Sequence, residues 1–218
     1  MVISTDQQTA GRGQRGNLWE AQPGENLTVS FVLRPTFLRA ADQFRLNIVI
    51  SLGLYDTLQP LLGDALRIKW PNDLYIGDQK VGGILIENTV QGYTLAWSVV
   101  GIGLNVNQTE FTYPTATSLQ QQAPLPNGYD LPGLLTQLCE KLEPRYLQLR
   151  AGATATLEAD YRQTLYRFGQ EHAYEAGGTR FRGTITGVDP TGRLLIQTAN
   201  GTRSFGFKEV KFLVMNDE

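Results

Sequence analysis

Between residues 65 and 104 four strand-like runs follow one another with almost nothing between them: 65–70, 73–76, 80–88 and 93–104. Gly77-Asp78 and Gln91-Gly92 are the turn signals that punctuate them. Connections this short join antiparallel neighbours, since a parallel pair needs a long crossover. Residues 1–5 and 26–33 read as further strands, separated by a polar, glycine-rich connection in which Pro23-Gly24 would end any helix. Over 37–62 the apolar positions Phe37, Phe44, Ile48, Leu52, Tyr55 and Leu58 recur at spacings of three, four and seven, as an amphipathic helix covering a sheet requires.

Residues 105–132, rich in Pro, Gln, Thr and Asn, read as a surface excursion with at most a short helical turn. Helical periodicity returns over 134–148 and 157–168. After Gly169 come only short β-like pieces, divided by Asp189-Pro190-Thr191-Gly192 and Ala199-Asn200-Gly201. The expected class is therefore α+β: a mixed, largely antiparallel sheet with covering helices in a domain 1–168, and a small C-terminal β-barrel in 169–218.

Composition narrows what such a chain can meet. A formal charge of −2 over 218 residues provides no broad basic field for nucleic acid and no polybasic run for a membrane surface, so an anionic ligand has to be met locally. Cys139 is the sole cysteine and His172 the sole histidine, which excludes an intrachain disulfide and a Cys/His zinc cluster and favours a reducing, cytoplasmic setting. No apolar run is long enough to span a bilayer and no basic-then-apolar leader opens the chain, so export is not expected. His172 lies outside every motif and reads as a surface residue of the barrel.

Gly11-Arg12-Gly13-Gln14-Arg15-Gly16 formally fits the dinucleotide fingerprint G-x-G-x-x-G, but that fingerprint needs a helix starting at its third glycine. Asn17-Leu18-Trp19-Glu20-Ala21-Gln22-Pro23-Gly24 cannot make one, and no Gly-Lys-Ser/Thr follows to make a P-loop. Taken alone, the hexapeptide reads as a solvated surface loop. Its company suggests more: glycines allow close backbone approach, arginines offer a bidentate fork for phosphate or carboxylate, and Trp19 offers a flat ring. A ligand with a phosphate and a ring would use all three, beneath a loop able to close over it.

Lys69-Trp70-Pro71-Asn72-Asp73 stands between two strand-like runs, with Pro71 breaking the ladder. Lys80-Val81-Gly82-Gly83-Ile84 carries paired glycines that mark either a bulge or a place where a ligand lies on bare backbone. Each segment alone is equally an ordinary strand end. In this order, together with Gly101-Ile102-Gly103-Leu104-Asn105-Val106-Asn107, they resemble the catalytic domain of biotin protein ligases. The C-terminal stretches 183–189 and 192–195 are likewise similar to that family's SH3-like domain.

The resemblance implies a class II synthetase/lipoate-ligase-like fold and a two-step reaction: ATP activates biotin to biotinyl-5'-AMP, and a lysine of a biotin carboxyl carrier protein then takes the biotin. On this reading Lys80 holds the biotin carboxylate, and Arg12, Arg15 and Lys69 meet phosphates. Gln8, Gly11 and Gly83 touch biotin, and Trp19, Asn72 and Asn105 frame the adenylate. Asp73 orients the incoming amine or accepts its proton, and Mg²⁺ accompanies ATP with protein ligands unassigned. Gln14 stands where the family often has a phosphate-contacting arginine, which moves that role to Arg12 and Arg15.

The resemblance also implies an earlier strand and a Ser-Thr-Asn segment that touches biotin. No match to it precedes Gln8, so the chain is expected to lack the usual N-terminal portion, to bind biotin more weakly and to self-associate. No nucleic-acid or membrane partner is expected, and a homodimer stays open. The alternatives are a lipoate/octanoate-protein ligase and a truncated, weakly active biotin-binding pseudo-enzyme.

Overall fold

The computed structural model describes residues 1–13 and 18–213. Six strands form the first sheet in the order β1-β2-β6-β5-β4-β3, every neighbour antiparallel. They are β1 (Val2–Thr5), β2 (Asn26–Leu33), β3 (Leu66–Lys69), β4 (Asp73–Ile76), β5 (Gln79–Gln91) and β6 (Thr94–Asn105). The two-residue turn anticipated at Gly77-Asp78 closes β4–β5, and the one anticipated at Gln91-Gly92 falls one residue later, at Gly92-Tyr93, and closes β5–β6, with Gly77 and Gly92 at positive φ.

Strand alternation divides this sheet into two unlike faces. Leu27, Val29, Phe31, Ile84, Val100, Ile102 and Leu104 are buried, while the residues between them on β6, Gly101 and Gly103, and on β2, Thr28 and Ser30, belong to the other face. The buried face meets α1 (Phe44–Leu62), which is covered in turn by α3 (Leu131–Arg150) and α4 (Thr154–Thr164). Because α1 is enclosed by the sheet and two helices, it buries a nearly continuous run from Ile48 to Leu54 rather than one stripe. Gly53 lets α3 come close: a β-carbon there would stand 3.0 Å from the Leu142 Cα. Arg145 of α3 joins the three helices, with Nε 2.7 Å from Asp56 and Nη1 2.5 Å from Asp160.

Three helices differ in their bounds from the sequence expectation, the one expected over 157–168 running Thr154–Thr164 because Leu165 is already extended. The first long helix starts at Phe44 rather than 37, and a 3-10 turn at Ala40–Asp42 precedes it. The helix expected over 134–148 runs Leu131–Arg150, because the Asp130 carboxylate caps the Gly133 N–H and Pro132 needs no donor in the first turn. The excursion 105–132 carries only α2 (Leu119–Gln122).

The C-terminal β domain is a second antiparallel sheet, β10-β9-β8-β7-β11. Its strands are β7 (Glu171–Ala176), β8 (Thr179–Val188), β9 (Leu194–Thr198), β10 (Gly201–Phe205) and β11 (Lys211–Phe212). His172 sits on β7. Segment 165–169 stitches the two sheets together: Tyr166 N–H donates to Ile68 O at 2.8 Å, and Gly169 N–H to Ile185 O at 3.0 Å.

Candidate active site

The open face of the first sheet floors a cavity of about 730 Å³. Its centre is built by one irregularity. Asp73 pairs with Gly83 and Leu74 with Gly82, but Tyr75 pairs with Lys80, so the register slips and Val81 is the extra residue. Strand faces alternate with period two, which in a regular ladder would send Lys80 and Gly83, three apart, to opposite faces. The bulge puts them on one face. The Lys80 ammonium lies 2.7 Å from Asp73 Oδ1, and a β-carbon at Gly83 would stand 3.0 Å from Lys80 Nζ. The glycine is therefore what leaves room for this ion pair. Residues 115–117 pin Lys80 from the other side: its N–H donates to Thr115 O at 2.7 Å, and its carbonyl accepts from Thr117 N–H at 2.9 Å.

The Lys69–Asp73 segment divides its side chains between two tasks. The Pro71 carbonyl is held from α1 by Asn47 Nδ2 at 2.6 Å and from α4 by the Tyr161 hydroxyl at 2.8 Å. Asn72 is buried at the cavity wall and donates to Ile84 O. Trp70 turns the other way, its Nε1 donating to Gly192 O of the C-terminal domain at 2.9 Å.

Lys69 meets the cavity through Tyr75, which lines it. Its ammonium lies 4.3 Å from the Tyr75 ring centroid, 5.2 Å from that of Phe212 and 5.8 Å from that of Tyr166, and it donates to the Tyr75 hydroxyl at 3.3 Å. A long apolar stem with a cationic tip suits such a ring cluster, and three aromatic faces compete with solvent for the charge. Burial holds this ammonium below the ordinary lysine range, with the nearby Asp73 carboxylate acting in the opposite sense. Burial, and then Asp73, push the Tyr75 hydroxyl far above its ordinary value.

Trp19 roofs the floor of β6. Its backbone N–H donates to Gly11 O at 3.1 Å, and a β-carbon at Gly11 would stand 2.2 Å from Trp19 O and 3.2 Å from Gln8 Oε1. Trp19 Nε1 and Asn105 Oδ1 are both buried without a hydrogen-bond partner among the described residues, although Asn105 Nδ2 donates to Thr117 O at 2.8 Å. An orphan donor and an orphan acceptor beside a glycine floor are the fittings of a flat polar ligand. Gln8 and Arg12 also line the cavity, with Ser30 and Glu87, and Arg12 Nη2 is 3.6 Å from Glu87 Oε2. Arg15 and Gln14 lie outside the described residues.

Gln8, Arg12, Trp19, Asn72, Asp73, Lys80, Gly83 and Asn105 are thus brought to one cavity, with Gly11 behind Trp19. Sequence reasoning missed Tyr75, Glu87 and Phe207, which also line it. Strand alternation from Gly83 would have flagged Glu87, whereas Phe207 reaches the cavity from the C-terminal domain and carries no local signal. Among the described residues no helix is long and apolar enough to cross a membrane.

Comparison with known proteins identifies the family. Residues 1–105 match the Biotin/lipoate A/B protein ligase family, and 175–213 match the Biotin protein ligase C terminal domain. The biotin--[acetyl-CoA-carboxylase] ligase of Paracoccus denitrificans is 31% identical over 214 residues, covering 94% of this chain and 88% of that one. The chain belongs to the biotin protein ligase family. Among solved structures of that family, biotin protein ligase from Aquifex aeolicus in complex with biotin and ATP superposes with a TM-score of 0.81 at 25% identity, covering 97% of this chain and 89% of that chain. The bifunctional ligase/repressor BirA of Bacillus subtilis is 28% identical over 208 residues, and the match spans 93% of this chain but 63% of the length of that relative.

Proposed function

We propose that this chain activates biotin with ATP to biotinyl-5'-AMP and transfers the biotin to a lysine of a biotin carboxyl carrier protein. The observation that carries the reading is the Lys80–Asp73 pair, 2.7 Å apart in a cavity that Gln8, Arg12, Trp19 and Asn105 also line. Biotin would lie toward Gln8, Gly11, Arg12 and Gly83, and the adenylate toward Trp19, Asn72 and Asn105. Residues 1–168 would form the catalytic domain and 169–218 the C-terminal domain, in the cytoplasm.

In the first step a carboxylate oxygen attacks the α-phosphorus, and the bond to pyrophosphate breaks. Two unit charges about 4 Å apart repel by about 4 kcal/mol at an effective dielectric near 20, so a cation at the meeting point is required. Lys80 supplies it, with Arg12 and Arg15 toward the phosphates. In the second step a neutral lysine amine attacks the anhydride carbonyl, AMP leaves and the amine loses a proton, for which Asp73 is the nearby acceptor. Glu20, Asp73 and Glu87 line the cavity, but each is bonded to Thr112, Lys80 or Arg12, and among the described residues no three ligating side chains converge. Mg²⁺ accompanying ATP would be held here chiefly through phosphate oxygens and water.

The test is pyrophosphate exchange into ATP. Exchange should depend on biotin and be about a hundredfold poorer with lipoate or octanoate, a gap of about 2.7 kcal/mol. Equal or better exchange with lipoate would transfer the assignment to the lipoate/octanoate branch. No exchange with any acid would leave a biotin-binding pseudo-enzyme.

A further inference from the structure

Tyr75 stands between a buried cation and the cavity. Its neighbours Leu74 and Ile76 are buried in the core, so strand alternation turns Tyr75 to the open face with Asp73. There it lines the cavity. The Lys69 ammonium lies 4.3 Å from the Tyr75 ring centroid and donates to the hydroxyl at 3.3 Å. The hydroxyl oxygen is thus an acceptor toward Lys69, and among the described residues no group accepts the hydroxyl proton. Burial keeps that proton in place well above neutral pH. A hydroxyl whose oxygen faces an ammonium is a polarised donor, suited to an anionic oxygen in the cavity.

Strand register selects the anion. Asp73 stands opposite Gly83 and Tyr75 opposite Lys80, so Tyr75 lies two residues, about 6–7 Å, along β4 from the glycine against which biotin would lie. Displacement at phosphorus keeps the attacking and leaving oxygens roughly in line, which sends the pyrophosphate group away from the biotin carboxylate. We propose that the Tyr75 hydroxyl is a ligand of the β- and γ-phosphates of ATP, with Lys69 as the positioning residue whose charge acts through that hydroxyl. The proposal rests on the nucleotide reading above and adds to it a contact for the leaving group.

Tyr75→Phe keeps the ring beside the ammonium and deletes the hydroxyl alone, while Lys69→Met keeps a long apolar stem among the rings and deletes the charge. The probes are α,β-methylene-ATP, AMP and biotin, titrated calorimetrically into the full chain, the nucleotides in the presence of biotin. Each single variant should weaken the ATP analogue about five- to twentyfold and change AMP and biotin less than about twofold. The double variant should lose about as much as the worse single variant, because the two groups act as one unit. A double loss equal to the product of the single losses would show Lys69 acting independently and overturn the relay. An unaltered analogue affinity in Tyr75→Phe overturns the proposal, and so does an equal loss for AMP or biotin, which a merely structural role would produce. A wild-type chain that binds the analogue yet shows no biotin-dependent exchange would sink the ligase reading, while the same set of variants would still decide the role of Tyr75.

Discussion

Trp19 lies against Gly103 with no space for a side chain between them: a β-carbon at 103 would stand 2.4 Å from the indole Cε2 and 2.7 Å from Nε1. The ring that roofs one end of the cavity is seated there because its floor is bare backbone.

Gly103→Ala should therefore displace Trp19. Overpacking of this kind costs about 1–3 kcal/mol, and on an open sheet face the ring can swing away rather than strain the core. The expected outcome is a redshifted tryptophan emission and an ATP-analogue affinity down about tenfold or more, with little change in thermal midpoint. Gly101→Ala is the control, since its nearest neighbour would be 3.6 Å away and in ordinary contact. Equal behaviour of the two variants would show that the Trp19 seat does not matter for the nucleotide.

The Lys80–Asp73 pair can be divided by measuring the two steps separately. Lys80→Ala removes a charge-assisted contact of about 1.5–3 kcal/mol, so adenylate formation should fall about ten- to a hundredfold. Asp73→Asn keeps the shape but cannot take a proton, and should slow transfer to the carrier more than activation. If both variants depress both steps alike, the pair acts as one structural unit.

Trp70→Phe keeps a ring against Phe207 but deletes the bond from Nε1 to Gly192 O. A buried carbonyl left without its donor costs about 1–3 kcal/mol. At this chain length the thermal midpoint should drop by about 2–4 °C per kcal/mol. An unchanged midpoint would mean that this bond adds nothing measurable to the junction of the two sheets.

Alkali should loosen the same junction. Burial, and then the hydrogen bond to Asp78, raise the Tyr166 hydroxyl to about 12, and burial raises Tyr174 to about 12. The unfolded chain releases these protons near pH 10, so the stabilisation is complete below about pH 10 and is lost as pH climbs toward 12. Lys69 opposes this trend. Its lowered value makes the buried ammonium a penalty at neutral pH, relieved as pH rises toward 10.5. With Tyr75 and Tyr161 raised as well, the tyrosines outweigh the one lysine. Denaturant midpoints measured between about pH 9 and 12 should fall, and Tyr166→Phe should flatten the slope. A slope that the variant leaves intact would place the alkaline lability elsewhere.

Much of this architecture was written locally. The closely spaced runs between 65 and 104, with positive-φ glycines at both hairpin turns, specify an antiparallel ladder through backbone chemistry that acts within a few residues. The glycine doublet at 82–83 marked the bulge, and the paired motifs marked the cavity. Periodicity alone placed the start of α3 too late, because Asp130-Leu131-Pro132 starts the helix before its first periodic leucine. What local pattern could not determine is which way a long side chain goes. Lys69 sets its ammonium among the rings of Tyr75, Phe212 and Tyr166, Trp70 reaches a carbonyl 122 residues along the chain, and Phe207 closes a wall built from the opposite end of the protein. Strand alternation leaves each side chain a choice of faces and rotamers, and that choice goes to whichever rings and carbonyls the rest of the fold brings within reach.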